Sequence, residues 1–180
     1  ATHVFDITAK MTPDTQEEVL KVSLKTIDNS PIHYTLDGTE PNEKSALYTD
    51  TLKINQSCTI QAIAVRPTGN SRIFKEQVNI HLASFKPITM LQPVNRQYAF
   101  DGPNTLLDGL KGNHNYKTGR WIAFYKNDME AVIDLQKEEE VSKVSFTTCV
   151  EKGDWVFDAR YVEISLSDDG KVFNTVAIKN

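Results

Sequence analysis

The chain lacks long hydrophobic runs: its longest strictly aliphatic stretch is Ala62 to Val65, so nothing in it reads as a membrane-spanning helix. It also lacks a dominant charge. Twenty basic and 24 acidic side chains leave a net charge of −4, evenly spread. That balance argues against a surface that tracks nucleic-acid phosphates. Motifs of catalysis are missing too: there is no H-E-x-x-H, no G-x-S-x-G, no C-x-x-C and no glycine-rich phosphate loop. The four histidines, His3, His33, His81 and His114, stand isolated, and none has a partner at metal-ligand spacing. Cysteine is scarce. Cys58 and Cys149 lie far apart on apolar-alternating segments and read as buried free thiols. No initiator Met and no signal segment precede Ala1, so the chain reads as a piece of a longer or processed protein.

What is present is β-forming. Val, Ile and Thr total 44 residues against 23 for Ala and Leu, which favours strands over helices. Period-two alternation dominates. Leu20, Val22 and Leu24 oppose Lys21, Ser23 and Lys25, and the segment from Cys58 to Val65 predicts a strand covered on both faces. Lys143 to Thr148 and Val162 to Ser167 alternate in the same way. Asp-Gly turn signals stand at 37–38, 101–102, 108–109 and 169–170. Short strands with frequent turns predict an all-β chain of sandwich or barrel class.

The pattern breaks at Ser84-Phe85-Lys86-Pro87, where alternation stops and Pro87 cannot donate to a central ladder. Residues 1–84 hold only four aromatics, Phe5, Tyr34, Tyr48 and Phe74, while residues 85–180 hold the other 12. Two domains are therefore expected, 1–84 and 85–180. Glu138-Glu139-Glu140 reads as a solvated loop, since adjacent carboxylates on a turn do not face one another across a sugar. Asp168-Asp169-Gly170 reads as a hairpin turn. No catalytic residue is assigned.

The stretch from Ile32 to Ser71 carries Tyr34, Thr35, Asp37, Gly38, Pro41, Ser45, Tyr48, Ile60, Ala62, Ala64, Gly69 and Ser71. These residues resemble the pattern of the C-terminal sandwich domain of chitobiase and β-hexosaminidases. The resemblance implies an immunoglobulin-like or fibronectin-like accessory sandwich, with these residues as scaffold: a turn at Asp37-Gly38, a loop stiffened by Pro41, and Ser45 and Tyr48 satisfying loop backbone.

From about Lys86 onward, Leu107-Asp108-Gly109, Trp121, Ile133-Asp134-Leu135, Val141, Val144 and Ser167 to Phe173 resemble a discoidin or coagulation factor 5/8 type C domain. That fold, a galactose-binding-like jelly roll, also houses family 32 carbohydrate-binding modules. The resemblance implies further strands after the Ser167–Phe173 segment, so the jelly roll is expected to be incomplete at its C-terminus. It also brings a calcium site, for which Asp101 and Asp108 lie in the right neighbourhood while the late acidic partner is absent. No cofactor is expected; calcium stays open. Sugar binding in this fold uses loops at one end, with a stacking aromatic and polar neighbours. By loop position the candidate carbohydrate contacts are Trp155, Tyr116, Arg120 and His114, with Asn115 and Phe157 beside them; Trp121 and Phe124 sit at core positions.

The domain order, with the entry His3 to Thr8, resembles the C-terminal end of Bacteroidetes-type β-N-acetylhexosaminidases of glycoside hydrolase family 20. The implied role is a non-catalytic accessory region that helps place an upstream catalytic domain on glycans at the periplasm or cell surface. Two alternatives remain: the same region of another glycosidase such as an α-L-fucosidase, or a purely structural pair that binds nothing.

Overall fold

A computed structural model describes residues 6–179; His3, Val4 and Phe5 of the entry segment lie outside the described residues. The chain is all-β, in several antiparallel sheets, and its only helical pieces among the described residues are short 3₁₀ turns. Two compact units are present, one running to Phe85 and taking in Leu107–Leu110, the other made of Lys86–Leu106 and the chain from Lys111 onward.

In the first unit, β1 (Thr8–Asp14), β2 (Val19–Lys25) and β5 (Leu52–Ile54) form one sheet in the order β1-β2-β5. The other is β4-β3-β6-β7, built from β3 (Ile32–Thr35), β4 (Ala46–Leu47), β6 (Cys58–Ala64) and β7 (Phe74–Val78). The alternation of β2 becomes a buried row of Leu20, Val22 and Leu24 that meets Ile32, Ile60, Ala62, Ala64 and Val78 from the other sheet. Leu20, Val22, Ile60 and Val78 are fully enclosed. In β6 the run from Ile60 to Ala64 is buried on both faces. Burying an Ile or Leu side chain contributes about 1.5–3 kcal/mol, so this cluster is the main source of the unit's stability.

The motif residues of this unit serve the scaffold. Gly38, at φ 82°, makes the turn, and the Asp37 carboxylate accepts from the Thr39 amide at 3.0 Å. The Tyr48 hydroxyl accepts from the Leu24 amide at 3.2 Å, which ties the two sheets together. Ser71 Oγ accepts from the Ala64 amide at 2.9 Å, and His33 Nδ1 lies 2.8 Å from the Ser45 carbonyl. Pro41 is buried.

The second unit holds two ladders. β8 (Ile88–Met90) pairs with β9 (Ala131–Ile133), and β10 (Val162–Leu166) pairs with β11 (Asn174–Lys179). The turn between β10 and β11 is the one expected at Asp169-Gly170: Asp169 accepts from the Lys171 and Val172 amides, and Gly170 takes φ 68°. One expectation fails here. Lys143 to Thr148 forms no ladder among the described residues, and its side chains are exposed. Alternation only makes a segment able to lie half-buried; a strand also needs a neighbour that pairs with its backbone, and none does so among the described residues. Trp121, expected in the core, is half-buried: it donates Nε1–H to the Asn113 carbonyl at 2.8 Å and lies against Gly112. A Cβ on Gly112 would come within 2.1 Å of that indole. Phe124 is half-buried as well.

Candidate functional site

The second unit gathers its loop aromatics at two neighbouring pieces of chain. Asn115 starts a 3₁₀ turn at Tyr116–Thr118: its side chain accepts from the Lys117 amide at 3.0 Å, and Gly119 at φ 80° ends the turn. Glu151 starts a second turn at Lys152–Asp154, accepting from the Gly153 amide at 3.2 Å. Glu151 and Val156 close that loop as an antiparallel bridge, with reciprocal backbone bonds of 3.0 Å. Trp155 sits at the loop's apex in the left-handed conformation, φ 61° and ψ 31°. The indole is 83% exposed and meets Phe157 edge to face, with centroids 6.2 Å apart and planes at 82°.

Asp154 joins the two turns. Its carboxylate accepts from the Tyr116 hydroxyl at 2.6 Å and lies 3.4 Å from Lys117 Nζ. The Tyr116 hydroxyl, and after it the Lys117 ammonium, hold the Asp154 carboxyl below the usual carboxylate range. Conversely, the bond to Asp154 raises the Tyr116 phenol above its ordinary value, so the hydroxyl keeps its proton. Lys117 Nζ lies 5.1 Å from the Tyr116 ring centroid, and Tyr98 packs edge-on to the same ring at 5.7 Å. The phenol is thus fixed on three sides, an arrangement that presents a ring and several hydrogen-bonding groups with little rotamer freedom left to lose.

Of the sequence candidates, Tyr116 and Trp155 are brought together through Asp154, and Phe157 joins Trp155. His114 is exposed, and its carbonyl lies 3.9 Å from Cys149 Sγ; no contact draws its ring into the cluster. Arg120 is half-buried and already engaged within the fold. Asp154 and Lys117 were missed. Asp154 bonds to Tyr116 across 38 positions of sequence, and no local pattern marks it.

Among the described residues, no group of three or more His, Cys, Asp or Glu side chains is gathered so as to hold a metal ion. Asp108, named with Asp101 for calcium, is buried in the first unit and accepts from the Leu110 amide at 2.8 Å, whereas Asp101 belongs to the second. Both cysteines are free, and burial pushes the Cys58 thiol above its ordinary value. No helix among the described residues is long and apolar enough to cross a membrane.

Residues 22–78, from within β2 to the end of β7, match the model of the family described as Fn3 associated. That stretch of the first unit is thus similar to a fibronectin-III-associated domain, a type found with glycoside hydrolases, and the similarity hints at an accessory domain of a glycosidase-type protein. No curated protein matches the chain.

Proposed function

We propose that the chain is the non-catalytic, glycan-binding accessory region of an exported glycosidase. The family resemblances described above favour a β-N-acetylhexosaminidase as parent and a discoidin-type jelly roll as the second unit. The observation that carries the binding role is the Trp155–Phe157 pair, exposed beside the fixed Tyr116–Asp154–Lys117 cluster. An aromatic this exposed costs hydration free energy unless something covers it. The C–H face of a pyranose meets an aromatic ring and sheds water, while its hydroxyls can both donate to Asp154 and accept from Lys117.

Shielding one ring contributes on the order of 1–2 kcal/mol, and each added hydrogen bond about 0.5–1.5 kcal/mol. After the loss of ligand freedom, this sum corresponds to dissociation constants around the millimolar range. Calorimetric titration of the full chain with oligosaccharides ending in GlcNAc, GalNAc or galactose tests the reading. Saturable binding that Trp155→Ala abolishes is expected; absence of binding to all three overturns it. The chain itself is expected to release no chromophore from chromogenic GlcNAc or fucose glycosides, and clear turnover would refute the accessory role.

A further inference from the structure

The chain that leads into the Trp155 loop has the sequence of a strand and no partner for its backbone. From residue 138 to residue 150 no amide or carbonyl pairs with another backbone group among the described residues. Along 143–147, Val144 and Phe146 take one face, and Lys143, Ser145 and Thr147 the other. Val144 and Phe146 are each 51% exposed. The polar tie from this stretch to another segment is weak: the Cys149 thiol lies 3.9 Å from the His114 carbonyl. On the far side of the Trp155 loop, β10 has the matching deficit. It pairs with β11 alone, and its other edge makes no backbone bond among the described residues. Val162 and Ile164 are half-buried on one face of β10, while Glu163, on the opposite face, accepts from the Thr175 hydroxyl at 2.7 Å. A two-stranded ladder is marginal in water, and a third strand with an apolar face is what makes such a sheet stable.

The two limbs already begin to pair. Glu151 and Val156 form an antiparallel bridge with two backbone bonds of 3.0 Å. Prolonging that bridge away from Trp155 lays residues 141–150 against residues 157–166. In strict continuation Val144 would face Glu163 and Lys143 would face Ile164, which sets apolar side chains against charged ones. One extra residue on the β10 limb, where the chain bends at Arg160, removes the mismatch. Phe146 then faces Val162, Val144 faces Ile164, and Ser145 faces Glu163. Apolar meets apolar on one side of the sheet. On the other, Lys143 comes diagonal to Glu163, within reach of an opposite-charge pair.

We propose that residues 142–148 are a strap that closes on the free edge of β10 as the third strand of its sheet, in the register that sets Val144 opposite Ile164, and that closure tightens the Trp155 site. The loop carrying Trp155 is the connection between the two limbs. Closure holds both of its ends, so less freedom remains to be lost when a ligand covers the indole. Linkage makes the effect reciprocal: a ligand on Trp155 favours the closed strap by the same factor. The coupling rests on the glycan-binding reading of Trp155, whereas the strap itself rests on the bridge and the matched faces.

The test uses the full chain with Cys149→Ser, carrying Ser145→Cys together with Glu163→Cys, the pair that the closed strap sets face to face. Directly opposed residues of an antiparallel pair have Cα atoms about 4.5–5.5 Å apart, within disulfide range. The control replaces Glu163→Cys by Val162→Cys, which faces residue 145 only in the register without the extra residue. Under mild oxidation the first pair is expected to cross-link about tenfold faster than the control, with peptide mapping to identify the bond. Equal rates overturn the strap, and a faster control overturns its register. Calorimetry then compares the cross-linked and reduced forms with oligosaccharides ending in GlcNAc, GalNAc or galactose. The cross-linked form is expected to bind about fivefold more tightly, and equal affinity overturns the coupling. Absence of binding in both forms overturns the glycan-binding reading, while the cross-linking rates still decide the strap.

Discussion

At the scale of single residues, the second unit's chemistry concentrates on Trp155 and the Tyr116–Asp154 bond. Apart from its edge-to-face contact with Phe157, Trp155 carries little packing for the fold, being 83% exposed. Trp155→Ala is therefore expected to reduce glycan affinity at least about tenfold, as loss of a stacking ring does, with no fall in melting temperature. Its left-handed backbone adds a further expectation. A non-glycine residue there carries about 1–2 kcal/mol of strain, so Trp155→Gly is expected to raise the melting temperature while abolishing binding, checked by calorimetry on one sample. Tyr116→Phe removes the donor and Asp154→Ala the acceptor of the 2.6 Å bond. Their effects on affinity are expected to be strongly non-additive, with the double variant little worse than either single one. The sequence singles out Trp155 and Tyr116 because loop aromatics near a glycine or an asparagine stand out. It does not single out Asp154, because its role comes from a contact that only folding creates.

At the scale of elements, the first unit was readable because each alternating strand finds a sheet and one shared core. Ile60→Ala in β6 is expected to cost about 2–5 kcal/mol in denaturant unfolding, whereas Ile178→Ala in the exposed β11 should stay within about 0.5 kcal/mol. The segment 143–148 shows the limit of such reading, since its own residues specify faces but not a neighbour. The β1–β2 connection carries a charge cluster with a pH signature. Asp14 accepts from the Gln16 and Glu17 amides and from Lys21 Nζ, and Lys21 and Lys53 both reach Glu17. The bond from Lys21, followed by that from the Glu17 amide, lowers the Asp14 carboxyl from 3.8 to about 2. A lowered carboxylate contributes stability that is fully present above its unfolded value and is lost as pH falls through its folded value. The melting-temperature difference between the parent and Asp14→Asn is therefore expected above about pH 4 and to close towards pH 2. Exposure of the cluster and salt screening keep the effect small.

At the scale of the whole molecule, the near-balanced charge and the two separated thiols fit a chain whose units are held by packing rather than by cross-links. Thiol titration of the unfolded, unreduced chain is expected to count two reactive groups, and reduction to leave its mass unchanged. The first unit also draws on a part of the chain that sequence similarity does not reach. Leu107 is buried, Phe85 donates its amide to the Leu107 carbonyl at 3.0 Å, and Asn79 donates to the Gly109 carbonyl at 2.8 Å. Gly109, at φ 78°, runs so near Ile80 and the Asn79 carbonyl that a Cβ would lie 3.1–3.2 Å from them. The strip that completes this sandwich is thus encoded beyond the β8 strand of its neighbour. Excision after residue 85 would leave Phe85 and Asn79 without those partners. A graft of this sandwich onto an unrelated protein must carry the intervening chain with it, so the transferable cassette runs some thirty residues past the C-terminal end of the family match and also takes in β1 before its start.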